Sequence, residues 1–204
     1  MRGRGTTQEL RRRIAIEAAR LVSEGGLRDY RHAKEKAAAR LGIFDESSLP
    51  KNSEVEDALR EHQRLFHSDD QPRTLRRLRE AAREALRFFA RFEPRLVGAV
   101  LDGTADAHSA VCLHLYTDQP NDVLAQLQER RIAYEEVSRR VRVDRVTTRD
   151  YPALRFSAGD APIDVTVLPY DLLRQAPLDR VGERPMQRAS LAALDSLLLD
   201  SARD

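Results

Sequence analysis

Gly103 and Thr104 open the stretch "GTADAHSAVCLHLYTD", residues 103–118, and the residue types around them belong to phosphate chemistry. A glycine lets the backbone come close to a phosphate, and a hydroxyl beside it can donate to a phosphate oxygen. A site that transfers phosphate then wants two carboxylates on the next strand, facing one way. They hold the divalent cations that activate the attacking oxygen and neutralise the leaving group. Here those two positions read Ala110 and Cys112, while a separate acid, Asp164, stands in "PIDVTVLP", residues 162–169.

Strand alternation sends Ala110, Cys112, His114 and Tyr116 to one face and Ser109, Val111, Leu113 and Leu115 to the other. The second set is the core face, and the first, semi-polar set would form the wall of a site in a fold that places one there. A lone Asp164 among neutral neighbours is a poor Mg²⁺ cage, because hard cations gather oxygen ligands and usually more than one carboxylate. Mg²⁺ is therefore not expected, and the sequence identifies no other cofactor. Displaced acids would have to come from Asp102, which precedes the turn, Asp106 in the loop, or Asp118, which fits a helix cap. Cys112, His114, His108 and Asp164 are acceptable zinc ligand types, but Cys-x-His within one strand is not a zinc signature, and cysteine commonly serves as a small buried residue. Nor do Cys112 and His114 make a nucleophile pair, since side chains two apart on a strand stand about 6–7 Å from each other. The chain has no nucleophile elbow, Walker loop or dinucleotide-binding glycine pattern.

Two blocks of different period must position these residues. Up to about Phe92 the pattern is helical. Thr6 and Glu9 are spaced as a capping box ahead of Leu10, Ile14, Ala18 and Leu21, and Gly25-Gly26 ends that helix. A second helix, "RDYRHAKEKAAARLG", ends at Gly42. After the loop "IFDESSLPKN", a third starts with Ser53 as N-cap and Glu56 three residues on, with Val55, Leu59 and Leu65 inward. The fourth, from about Pro72, has an apolar face of Leu75, Leu78, Ala82, Leu86 and Phe89, widened by Phe88 and Phe92. Its other face carries Arg76, Arg79, Arg83, Arg87 and Arg91 with Glu80 and Glu84 between them. That face is either a phosphate-binding stripe, with Arg83 and Arg87 its central members, or a solvent face laced with ion pairs.

After Pro94 the period becomes two. Strands are predicted at 95–101, 109–117, 132–143, 153–159 and 162–169, a helix over "PNDVLAQLQERR" introduced by Asp118 and Pro120, and a last helix from about Met186 to Leu199. The expected fold class is α+β: a helical region over 1–92, whose last helix packs on the sheet, followed by a mixed sheet with flanking helices over 93–204.

Charge is unevenly spread. Residues 1–93 hold 21 Lys and Arg against 16 Asp and Glu, and the remainder hold 14 against 17. The amino-terminal helices are thus either the part that meets RNA, DNA or a protein partner, through Arg11 to Arg13, Arg31, Lys34, Lys36 and Arg40, or an ordinary solvated helical surface. Stacking aromatics are scarce there: Tyr30, Phe44 and Phe66. One cysteine, no apolar leader in "MRGRGTTQEL" and no apolar run of membrane-spanning length lead to the expectation of a cytoplasmic protein with no membrane role.

Over residues 74–169 the glycine turn followed by the strand "SAVCLHL" resembles the nucleotidyltransferase superfamily, the fold of DNA polymerase beta and the minimal nucleotidyltransferases. The family pattern is a glycine followed by Ser or Gly, an Asp-x-Asp on the next strand and a third acid on a later one. The resemblance puts Gly103 and Thr104 at the glycine and hydroxyl, Ala110 and Cys112 at the first two acids, and Asp164 at the third. It implies a degenerate relative that keeps nucleotide or phosphate binding around Gly103, Thr104 and Asp164 and has lost most of its metal-binding acids. A divergent active transferase that uses Asp164 is the enzyme alternative, and a nucleic-acid-binding or protein-interaction scaffold built on the amino-terminal helices is the other. Those first helices, "RIAIEAARLVSEGGLRDYRHAKEKAAARLGI", weakly resemble tetracycline-repressor-like DNA-binding domains, but a ten-residue loop and an acidic helix start stand where a recognition helix would follow.

Overall fold

The computed structural model describes residues 6–25, 30–66, 71–179 and 184–201. The fold is α+β, in two compact units that part between Gln71 and Pro72.

The first unit is built from α1 (Thr7–Gly25), α2 (Tyr30–Leu41) and α3 (Asn52–Phe66). Thr6 caps α1, its Oγ1 accepting from Glu9 N–H at 3.3 Å. Ile14, Ala15, Ala18 and Leu21 bury one side of α1 against Ala33, Ala37 and Ala38 of α2 and Val55 of α3. The alanines let the helix backbones approach closely, and packing of this kind, more than propensity, holds helices of this length. The expected capping box at Ser53 is displaced. α3 starts at Asn52, and the Glu54 carboxylate, not that of Glu56, reaches back to accept from Lys51 N–H at 2.6 Å. The loop between α2 and α3 is ordered by Asp45, which accepts from Ser47 N–H and from the hydroxyls of Ser47 and Ser48. The expectations for Gly26, Leu65 and Phe66 lie outside the described residues and side chains.

The second unit opens with α4 (Gln71–Phe88) and a five-stranded sheet: β1 (Arg95–Val97), β2 (Val111–Tyr116), β3 (Glu135–Arg142), β4 (Thr148–Ala158) and β5 (Ala161–Leu168). The strand order is β1-β2-β5-β4-β3, with β2 and β5 parallel and the other neighbours antiparallel. One face of the sheet, with Leu96, Val111, Leu113, Leu115, Leu154, Ile163, Val165 and Val167, packs on Leu78, Ala82, Leu86 and Phe89 of α4. The same core takes in Val123 and Leu127 of α6 (Pro120–Glu129) and Leu194 of α7 (Leu191–Asp200). At about 25 cal/mol per Å² of apolar surface, this face is the main source of the unit's stability.

Three sequence expectations change here. The strand over 95–101 stops at Val97, because Gly98 (φ 73°, ψ −156°) turns the chain into a single helical turn, α5 (Ala99–Asp102). Residues 186–189 are not helical. Ala189 pairs with Leu96 by two backbone hydrogen bonds at 2.8 and 2.9 Å, and α7 begins only after Ser190, whose hydroxyl caps it. Asp118 does not cap α6. Its carboxylate accepts from Tyr170 N–H at 3.1 Å and so ties the end of β2 to the turn that follows β5. Among the described residues no helix is long and apolar enough to cross a membrane.

Candidate functional site

The face of the sheet turned away from α4 carries the chemistry. The parallel pairing of β2 with β5 sets Cys112 beside Asp164 and His114 beside Thr166. The antiparallel pairing of β5 with β4 sets Arg155 on the other side of Asp164. Side chains of paired residues share a face, so this register gathers the group without any loop.

Asp164 is 5% exposed and ion-paired from two strands. Arg139 of β3 donates to Oδ2 through Nη2, and Arg155 donates to the same oxygen through Nε at 3.4 Å. The carboxylate side chain is 6% exposed, whereas those of Arg139 and Arg155 are 28% and 48% exposed, so the arginines form the solvent side of the cluster. Each guanidinium carries five N–H donors and gives one to Asp164. Among the described residues the others have no protein acceptor.

His114 lies deeper, 5% exposed, and its Nδ1 is buried without a hydrogen-bond partner among the described residues. Burial depresses the imidazole pKa to about 4, helped by the positive charges of Arg188 and Arg139 and opposed by Asp164. Tyr116, two residues on, accepts from Arg188 Nη1 at 2.8 Å. Its phenol is pushed above its ordinary pKa by burial, and the hydrogen bond and charge of Arg188 act the other way. Arg188 also donates to Leu172 O at 3.2 Å, which pins the segment before α7 to this face. Beside His114 on β1, Arg95 turns back on Glu93 and Pro94.

The remaining sequence candidates fall elsewhere. Gly103 is the left-handed C-cap of α5 (φ 78°, ψ 11°), not the end of a strand, and Thr104 N–H donates to Ala99 O at 2.9 Å. A Cβ placed on Gly103 would lie 3.9 Å from Arg79 Nη2. The glycine that adjoins the site is Gly98, where a Cβ would lie 3.9 Å from Cys112 Cβ. Ala110 precedes β2, half-buried. Asp106 organises its own turn, accepting from His108 N–H and the Ser109 hydroxyl.

Arg83 and Arg87 ride on α4, across the sheet from Asp164, so they do not join this cluster. Arg87 pairs with Glu84 at 2.9 Å and Arg76 with Glu80 at 3.2 Å, as an ion-paired surface would have it. Arg79 leaves that surface altogether. It is 8% exposed and donates to Val100 O, Leu101 O and Ser201 Oγ, and burial lowers its pKa. In the helical unit, Arg20 and Arg40 meet on Glu17, Arg31 pairs with Glu35, and Lys34 donates to Pro50 O and Asn52 Oδ1. Arg12, Arg13 and Lys36 stay exposed.

The donor set does not fit a divalent cation. Ala110 has no ligand atom, Cys112 is a soft ligand, and Asp164 already serves two guanidinium groups. Among the described residues no three or more His, Cys, Asp or Glu side chains are grouped to hold a metal, so His108, Cys112, His114 and Asp164 form no zinc cluster. What the face presents is positive charge with spare donors, and guanidinium forks match the oxygens of phosphate and carboxylate groups. Arg139, Arg155 and Arg188 went unnoticed in the sequence. The available signal was alternation, since Leu154 and Phe156 flank Arg155 as core residues and turn it to the face of Asp164.

Comparison of the chain with protein-family models, curated proteins and solved structures gave no match.

Proposed function

We propose that this protein is a non-catalytic relative of the nucleotidyltransferases, which binds a nucleotide or another phosphate-bearing molecule on the sheet face around Asp164. One observation carries the reading. The acid that the resemblance assigns to metal binding is held by Arg139 and Arg155, on a face whose other two acid positions are Ala110 and Cys112. Transfer by paired metal ions needs carboxylates that are free to bind cations. A face lined with arginine instead suits direct contact with phosphate oxygens.

Thermal unfolding against a panel of nucleoside triphosphates tests this, with Mg²⁺, Mn²⁺ or chelator present. A ligand at 100 times its dissociation constant adds about 2.7 kcal/mol of stability. Stabilisation that persists in chelator is the expected result. Stabilisation only with metal would instead support the active transferase. No shift with any triphosphate would refute the reading and move attention to the exposed basic residues of the helical unit.

A further inference from the structure

We propose that Asp164 is an internal competitor for the phosphate-bearing ligand: it occupies the arginines that bind the ligand, and the ligand enters without a metal ion. This deepens the function proposed above and rests on it. In a metal-dependent site the equivalent carboxylate is indispensable. Here its effect has the opposite sign.

Three features carry the inference. First, both arginines converge on one carboxylate oxygen, Oδ2, although Arg139 comes from β3 and Arg155 from β4, and their remaining donors meet no protein acceptor among the described residues. Second, the carboxylate is buried beneath the two guanidiniums, which are partly exposed, so an anion arriving from solvent meets the arginines first. Third, the unpartnered Nδ1 of His114 and the guanidinium of Arg188 adjoin this cluster, and neither adds negative charge. One buried carboxylate therefore stands among Arg139, Arg155 and Arg188, with the exposed Glu135, paired with Arg155 across β3 and β4, at the rim of the same face, and a phosphate group carrying more charge and more acceptor oxygens can displace the buried one. The repulsion between Asp164 and that phosphate, at close range and out of bulk water, amounts to a tenfold effect or more by order of magnitude, roughly 1.4 kcal/mol upward.

The test is binding of sodium tripolyphosphate and of ATP to the full chain by calorimetry, in chelator and then in Mg²⁺. The two probes separate recognition of phosphate alone from recognition of a whole nucleotide. Asp164→Asn is expected to tighten tripolyphosphate binding by about tenfold or more in chelator, with no gain from Mg²⁺. Wild-type binding that weakens or stays unchanged in Asp164→Asn overturns the competitor role and leaves phosphate binding standing. No binding of either probe by wild type and variant overturns both.

Arg155→Gln supplies a second arm at a half-exposed side chain, should Asp164→Asn not fold. Loss of one phosphate contact is expected to weaken binding at least fivefold or so, with Mg²⁺ giving no rescue. If Asp164 were a metal ligand, freeing it from Arg155 would instead strengthen Mg²⁺-dependent binding, and that outcome overturns the proposal.

Discussion

Replacing His114 with phenylalanine should remove a defined part of the protein's acid sensitivity. The imidazole has its pKa depressed from 6.5 to about 4 because it is buried, with Arg188 and Arg139 adding to the effect and Asp164 opposing it. Arg95 on β1, Thr166 on β5 and Tyr116 on its own strand complete its surroundings. In the unfolded chain the imidazole takes up a proton near pH 6.5, while in the fold it stays neutral until about pH 4. Stability contributed by the neutral imidazole is thus fully present above pH 6.5 and is lost as the pH falls toward 4. Each unit of pKa difference is about 1.36 kcal/mol, so the loss comes to about 3 kcal/mol. Phenylalanine has a similar volume, can keep the edge contact with Tyr116, and does not titrate. The stability difference between wild type and His114→Phe should therefore shift by about 3 kcal/mol in favour of the variant between pH 7 and pH 4. Amide exchange of β2 and β5 reads this from the sheet itself, and groups common to both proteins cancel in the difference. Parallel pH profiles for the two proteins would refute the assignment of a buried neutral histidine.

The other predictions concern the elements that hold the face. Gly98→Ala and Gly103→Ala both have room for the added methyl, so their costs are set by the backbone alone. Gly98, in a conformation essentially reserved for glycine, should lose about 3 kcal/mol, and Gly103, in the ordinary left-handed helical region, about 1–2; urea unfolding of the two variants checks the order. Arg79→Met keeps the aliphatic stem but leaves Val100 O and Leu101 O without their donor. It should cost about 2 kcal/mol, seen chiefly as faster amide exchange in α5. Leu113→Ala opens a cavity under the sheet and should cost about 2–5 kcal/mol by urea unfolding, without changing the charge of the opposite face.

Sequence periodicity made α4 legible, because a face of Leu78, Ala82, Leu86 and Phe89 is a local property of a helix. The same pattern misplaced Arg79. At the border of that face, helical spacing cannot tell an exposed arginine from a buried one. What buries Arg79 is a set of acceptors on α5 and at Ser201, far along the chain. The alternation of β2 correctly separated Leu113 and Leu115 from Cys112 and His114. Running β1 on to residue 101 failed because Gly98 breaks the strand with a positive φ, which apolar neighbours do not announce. The partners of Asp164 were illegible for a topological reason. β5 lies between β2 and β4, so Cys112 and Arg155 become its neighbours through pairings whose order alternation does not specify.

That topology also explains how the residues beside β5 set the character of the face and not merely its strength. A central strand such as β5 has its side chains flanked on both sides, and whatever stands on β2 and β4 sets the charge that Asp164 experiences. With carboxylates on β2, the face would be anionic and would gather cations before phosphate. With Cys112 as the β2 neighbour of Asp164 and Ala110 just before that strand, neither position carries a carboxylate, and the arginines of β3 and β4 close on Asp164 from the other side. The two guanidiniums then offset part of the cost of burying the lone carboxylate. Placing carboxylates at positions 110 and 112 alone would therefore not build a metal centre while Arg139 and Arg155 still hold Asp164. Conversion in that direction requires the arginines to be removed as well, since the two charge patterns exclude each other on one face.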